Sequence, residues 1–312
     1  MKPVRVGIVG IGKIARDQHI PVLRSDKSFE LVAAASRNAK VDGIANFATL
    51  EAMLDGGQQL DAISICTPPQ THFEAAKLAL HHGKHVLLEK PPCATVAQFD
   101  HLAQLARDSG LTLYQTWHSR HAPMVAAAKA WLSTRRIQGA TVTWKEDVRQ
   151  WHPGQTWIWQ AGGFGVFDPG INAISILTEI LPSAIFVSSA DLHFPENCEA
   201  PIAADIEFAL EDGASVAANF DFRQTGTQTW DIDVETDNGS LKLSAGGSKL
   251  LLDGADSAPD KTHGPHVEYE SVYRRFAQLL EQRVSSADGR PFQLVADTFL
   301  VCRRHRVEPF IE

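Results

Sequence analysis

The sequence predicts a doubly wound parallel α/β domain over residues 1–120, followed over 121–312 by an α+β domain with a mostly antiparallel sheet. Three observations lead there. The chain has 312 residues of ordinary globular composition, 44% hydrophobic and 21% charged, too many for one small core. From residue 1 to about 117 a short apolar run, a turn and a helix-period segment recur, which is the pattern of strands joined by crossover helices. After residue 120 that recurrence gives way to alternating segments separated by Gly, Asp and Asn turns.

In order, Val4 to Val9 reads as a buried strand, Lys13 to Arg24 as a helix interrupted near Pro21, Phe29 to Ser36 as a strand and Leu50 to Leu54 as a short helix. Ala62 to Cys66 is the next strand. Thr71 and Glu74 have the spacing of a capping box, opening a helix that stops at Gly83. His85 to Glu89 is a strand, Thr95 and Gln98 cap a helix ending at Gly110, and Leu111 to Gln115 is a further strand. In the second domain one helix lies near Pro123 to Thr134. Ala140 to Asp147, Ala203 to Leu210, Ser215 to Phe222, Trp230 to Thr236 and Ser240 to Leu243 alternate as strands, and Val267 to Arg283 and Pro291 to His305 are closing helices. No repeat or low-complexity linker separates the halves, so the boundary near 117–122 is a crossover.

With 37 acidic and 29 basic residues the net charge is -8, and no Lys/Arg run could follow a phosphate backbone, which argues against nucleic acid. No apolar stretch approaches the roughly 18 residues of a spanning helix, and Gly7, Gly10 and Gly12 interrupt any signal-peptide core. Neither membrane insertion nor export is expected. Cys66, Cys93, Cys198 and Cys302 form no CxxC and lack zinc-site spacing, so they read as reduced thiols in a cytoplasm, with no metal site.

The strand Val4 to Val9 runs into Gly10-Ile-Gly12-Lys13-Ile14-Ala15, a dinucleotide fingerprint with Ala in its third place. Gly10 serves the tight turn, Gly12 admits a pyrophosphate, Ala15 keeps helix and strand close, and Lys13 and Ile14 open the helix whose N–H groups face the phosphates. Where NAD-binding chains carry an acid for the ribose, Ser36-Arg37 stands instead. A hydroxyl and a guanidinium suit a 2′-phosphate, so NADP is expected ahead of NAD. Cys66, Thr67 and Pro68 leave their strand at the same edge and are expected to line the nicotinamide. His72 is grouped with them, although structural support is its simpler role. Glu89-Lys90-Pro91-Pro92 places a lysine at a strand end stiffened by prolines, a poor setting for a merely solvated charge, so Lys90 is a catalytic candidate.

The fingerprint, the Thr67-Pro68 turn with His72, Glu89-Lys90-Pro91 and Asp168-Pro-Gly-Ile-Asn172 together resemble the glucose-fructose oxidoreductase/inositol dehydrogenase/MocA family along the whole chain. Residues 12–19, Trp117 to Arg120, Trp144 to Asp147 and Trp151-His152-Pro-Gly-Gln are similar to the bacterial L-arabinose/D-galactose 1-dehydrogenases within it. The resemblance implies a Rossmann domain, a C-terminal domain with a large open sheet, and oxidation of a small sugar at C1 to a lactone. It also implies a lysine with an Asp/His pair at the substrate hydroxyl. Here the pair falls on Asp168 and Asn172, and because Asn does not titrate, the base is Lys90 or Asp168. Asp168 before Pro169 also reads as a helix N-cap with Pro at N1.

Trp144, Trp151, Trp157 and Trp159 lie close together among Glu146, His152 and Gln155, a composition suited either to core or to a sugar pocket. By resemblance Trp151, Glu146, His118, Asn172 and Trp230 are pocket residues. His118 is further marked by its place just after the last parallel strand. The partners expected are a sugar and, through the C-terminal sheet, another copy of the chain. Oxidation at another ring carbon, redox-assisted glycoside cleavage and a non-catalytic dinucleotide-bound sugar sensor remain the rival readings.

Overall fold

The structure is a computed structural model that describes residues 2–257 and 265–311. It divides into two compact units, Met1–Trp117 with Gly264–Gly289, and His118–His263 with Arg290–Glu312.

In the first unit six parallel strands, β1 (Val4–Val9), β2 (Phe29–Ala35), β3 (Ala45–Phe47), β4 (Ala62–Ile65), β5 (His85–Leu88) and β6 (Leu113–Gln115), lie in the order β3-β2-β1-β4-β5-β6. The order reverses at β1, the switch point beside which open α/β sheets bind their ligands. The apolar runs are buried because helices cover both faces. Three of these helices are α2 (Leu50–Asp55), α3 (His72–His81) and α4 (Val96–Asp108), and the expected capping box of Thr95 and Gln98 forms on α4. The one expected at Thr71 does not. Its hydroxyl donates to Thr67 Oγ1 and Pro68 O, spending the group inside the turn. The helix after the fingerprint opens as a wide turn, Ala15–His19, and becomes α1 (Ile20–Ser25), with Pro21 in its first turn, where its missing N–H costs nothing. Strand β3 was not expected. Three half-exposed residues give no readable apolar run.

The second unit holds a nine-stranded mixed sheet. Its strands are β7 (Ile137–Lys145), β8 (Ile185–Pro195), β9 (Ala203–Leu210), β10 (Ser215–Asp221), β11 (Thr229–Thr236), β12 (Gly239–Ser244), β13 (Lys249–Leu252), β14 (Ala255–Asp256) and β15 (Arg303–Val307). The order is β14-β13-β12-β11-β7-β10-β9-β8-β15, antiparallel except for β7 with β10 and β8 with β15. Around it are α5 (Val125–Leu132), α6 (Val148–Trp151) and α7 (Phe167–Ile180). Gly170 seats α7 on the sheet, since a Cβ there would lie 2.7 Å from the Phe220 ring.

Two expectations about the closing helices are corrected. The helix α8 (Pro265–Gln282) belongs to the first unit, where Tyr269, Val272, Tyr273, Phe276 and Leu279 pack with Val6, Ile8 and Phe29. Its i, i+3, i+4, i+7 stripe predicts a buried face but not which sheet it meets. The second unit is therefore not the continuous 121–312. The last helix, α9 (Arg290–Val301), stops at Val301. Residues 303–305, expected to continue it, instead open β15, whose charged run of Arg and His pairs with β8 and fits an exposed edge.

Candidate active site

Register builds the site of the first unit. Val9 is paired with Ala35 and with Ile65, and Ile65 with Leu88. The next residues of the four strands, Gly10, Ser36, Cys66 and Glu89, therefore form one row at the carboxyl edge. Gly10 N–H donates to Ala35 O, Cys66 N–H to Val9 O and Glu89 N–H to Ile65 O, which holds the row. Gly10 has φ +85, and a Cβ on it would stand 2.7 Å from Thr67 Cγ2 and 2.9 Å from Thr67 N. Gly12 is exposed, and a Cβ there would meet nothing within 4 Å. This open backbone at a helix start is the cradle a pyrophosphate needs, so the residues present fit a dinucleotide. Lys13 forms an ion pair with Asp17 at its mouth, and Ile14 is half-buried. Ser36, half-buried, and Arg37, exposed, follow β2.

His72 ties two turns together. Its fully buried ring spans from Thr67 O (2.5 Å) to Pro91 O (3.0 Å) and Pro92 O (3.2 Å), fastening the Cys66-Thr67-Pro68 turn to the one after Lys90. Burial holds its pKa below the usual 6.5, against the carbonyls that favour its charge. Lys90, half-buried, follows β5, and the Lys90–Pro91 bond is cis.

Beneath that lysine lies a polar network missed in the sequence. The carboxylate of Glu89, 3% exposed, accepts from Tyr269 OH (2.9 Å) and, with its other oxygen, from Lys90 N–H (3.1 Å). His19 Nε2 stands 3.1 Å from the same carboxylate and its Nδ1 2.8 Å from Tyr273 OH, which donates to Ser64 Oγ (3.2 Å). Burial works against charge on His19, but Cys66, Tyr273 and Glu89 outweigh it and its pKa stands well above 6.5. Burial, then Glu89, raises that of Tyr269, which keeps its proton for donation. Only His19 beside the fingerprint could have suggested this, because the tyrosines arrive from α8.

The second unit assembles most of the expected sugar residues. Antiparallel β7 and β11 set Trp144 opposite Trp230, so Glu146, just past the end of β7, lies beside the start of β11. Trp230 Nε1–H donates to Glu146 Oε2 at 2.9 Å. Asp147 caps α6, taking the Arg149 N–H at 3.0 Å, and the single turn delivers Trp151 and His152. His152 Nε2 lies 3.3 Å from Glu146 Oε1 and its Nδ1 3.5 Å from Asp168 Oδ2. Glu146, His152 and Asp168 thus form a buried or half-buried line, with the imidazole between two carboxylates and hydrogen-bonded to Glu146. Trp151, 41% exposed, meets the Trp230 ring in an edge-to-face contact at 5.5 Å.

Asp168 is not an N-cap. The helix starts two residues earlier than that cap would require, at Phe167 with Val166 in the cap position, and the carboxylate turns toward His152 instead. Asn172, four residues on, shares that face and is half-exposed, as Glu179 is, on a helix whose other residues are buried. His118 lies in the turn His118–His121, its Nδ1 3.4 Å from Ser119 Oγ. Arg120 anchors the turn to α7 through Ser175 O and Thr178 Oγ1. Trp144 is buried core and Trp159 packs on Phe222, so these two are structural.

A family model described as an oxidoreductase family with an NAD-binding Rossmann fold, that of glucose-fructose oxidoreductase, inositol dehydrogenase and MocA, matches residues 4–116. Galactose 1-dehydrogenase of Pseudomonas fluorescens is 44% identical over 312 residues, all of both chains. The chain belongs to this family of oxidoreductases. Among solved structures, a D-galactose-1-dehydrogenase from Rhizobium etli superposes with a TM-score of 0.94 at 52% identity, covering 100% of this chain and 99% of that one. A 3-ketoreductase variant from Actinomadura kijaniata, solved with NADP, has a TM-score of 0.84 at 21% identity over 98% and 99%, a likeness of fold. In this oxidoreductase no helix of the described residues is long and apolar enough to cross a membrane, and the four cysteines are free.

Proposed function

We propose that the chain is an aldose 1-dehydrogenase that prefers NADP and oxidises D-galactose, L-arabinose and D-fucose at C1 to the aldonolactone. The observation that carries this is the line Trp230, Glu146, His152, Asp168 beside the exposed Trp151. A pyranose has one apolar C–H face for an indole and a rim of hydroxyls for carboxylates and an imidazole. The two full-length relatives named for galactose 1-dehydrogenation support the same substrate class.

When bound, the dinucleotide accepts the hydride that leaves C1. The chain's own groups do the rest. Trp151 stacks on the ring. Glu146, fixed by the Trp230 indole N–H, and Asn172 and His118 read hydroxyls. Lys90 or Asp168 takes the anomeric proton, and His152 stands between Asp168 and Glu146. Gly10, Gly12, Lys13, Ile14, Cys66, Thr67 and Pro68 hold the cofactor. Glu89 and His72 fix the turns that present it, and Ser36 with Arg37 take the 2′-phosphate, which is the basis for NADP over NAD. The free thiols suit the reducing cytoplasm. The exposed polar face of the nine-stranded sheet, with Thr141, Asp205 and Glu207, is the surface for self-association, to be read by light scattering.

The test is steady-state turnover of free aldoses with each dinucleotide. Galactose and L-arabinose share configuration at C2, C3 and C4, whereas glucose inverts C4 and leaves a buried partner unpaired, a penalty of roughly 1–3 kcal/mol. Galactose, D-fucose and L-arabinose should therefore exceed glucose and xylose by about tenfold or more in kcat/KM. Glucose or myo-inositol outrunning them would overturn the substrate assignment, and binding without turnover would favour the sensor reading.

A further inference from the structure

Resting on that reading of Trp151 and His152, we propose that Phe310 is a positioning residue for the sugar site, a wedge that fixes the segment carrying both side chains. The helix α6 that delivers them is one turn of four residues. A helix so short does not hold its own geometry, so its orientation has to come from packing. Two parts of the segment rest on the same ring. Arg149, inside α6, lays its guanidinium 5.6 Å from the Phe310 centroid, and Trp159, in the turn Thr156–Trp159, stands 5.1 Å from it. The aromatic contact continues inward, from Trp159 to Phe222 at 5.8 Å and from Phe222 to the His152 ring at 5.5 Å.

The wedge is itself fastened. Asn197 clamps the Phe310 backbone from both sides, its Nδ2 donating to Phe310 O at 2.8 Å while Phe310 N–H donates to Asn197 Oδ1 at 2.9 Å. The loop that carries Asn197 also holds the far side of the wedge, since Glu199 N–H donates to Trp159 O at 2.9 Å. Its Glu196 N–H donates to Val307 O at 3.1 Å, tying the chain ahead of Phe310 to the same loop. Removing the ring would leave Arg149 and Trp159 without their shared support and let Trp151 and His152 depart from the geometry that meets a pyranose. None of these contacts involves the dinucleotide fingerprint, so the effect should be confined to the sugar.

The experiment compares Phe310→Ala, Phe310→Tyr, Asn197→Ala and Ile311→Ala with the parent chain, by steady-state kinetics on galactose and NADP and by acrylamide quenching of tryptophan fluorescence. Phe310→Ala should raise KM for the sugar and lower kcat/KM by about tenfold or more, with KM for NADP unchanged within about twofold. Asn197→Ala should shift both in the same direction, and Phe310→Tyr should restore them. Ile311, 81% exposed, should be replaceable without effect. Quenching should rise in Phe310→Ala as Trp159 is uncovered. Unchanged sugar kinetics, equal losses for sugar and NADP, or unchanged quenching would overturn the wedge. A parent chain inactive on every aldose while quenching still rises would instead remove the functional reading and leave the wedge standing.

Discussion

Replacing the two fingerprint glycines one at a time separates folding from cofactor binding. In Gly10→Ala the methyl must occupy a left-handed backbone, at about 1–2 kcal/mol for an L side chain. It also meets Thr67 N at 2.9 Å and Cys66 C at 3.0 Å. Those atoms are backbone at a strand end and cannot rotate away, and overpacking of this kind adds about 1–3 kcal/mol. The loss of stability should be roughly 2–5 kcal/mol, the sum of these two ranges. In Gly12→Ala the new methyl meets nothing within 4 Å and needs no positive φ. Stability should stay level or rise by up to about 1 kcal/mol, because an alanine has less freedom to lose on folding. The methyl stands, however, where the phosphates must approach, and affinity for NADP should fall about tenfold or more, equivalent to about 1.4 kcal/mol. Urea unfolding followed by tryptophan fluorescence reads the first quantity, and calorimetric titration with NADP the second. Gly12→Ala binding NADP as tightly as the parent would refute the cradle, and Gly10→Ala with unchanged stability would refute the steric argument.

Three further outcomes follow from the same geometry. Ser36→Asp with Arg37→Leu should lower kcat/KM for NADP about tenfold or more, one lost charge-assisted contact, and leave NAD nearly unchanged; an unaltered cofactor ratio would contradict the phosphate assignment. Lys90→Met should reduce kcat by roughly 10²-fold or more with dinucleotide affinity retained, whereas near-normal turnover would move the base to Asp168. Because His72 has a folded pKa below 6.5, the unfolded chain takes up its proton first, and this contribution to stability is lost as pH falls from 6.5 toward the folded value. His19, raised above 6.5, contributes stability that is lost as pH rises through its folded value. Unfolding across pH should show His72→Asn flattening the acid side and His19→Asn the alkaline side; reversed or absent effects would count against both assignments.

What was legible in the sequence follows from how local each signal is. Val4–Val9, Ala203–Leu210 and the box on α4 were readable because a strand's apolar run or a cap's spacing is written in adjacent residues. The row Gly10, Ser36, Cys66, Glu89 was readable for the same reason, since each residue ends its own run. Glu146, Asp168 and Trp230 could be named, but their meeting around His152 depends on β7–β11 register and on a helix start two residues earlier than the Asp-Pro pair suggests. The buried partnership of His19 and Glu89 with Tyr269 and Tyr273 was out of reach. It joins residues up to 254 positions apart, and nothing in the stripe of α8 names the sheet it covers.

The central claim is that hydride leaves C1. D-galactose carrying deuterium at C1, incubated with the chain and NADP, should transfer its label to the nicotinamide ring and yield an unlabelled galactonolactone, both seen by mass spectrometry. Galactose labelled at C3 should keep its deuterium in the product. Label arriving from C3, or reduced cofactor forming with the C1 deuterium still on the sugar, would contradict the account.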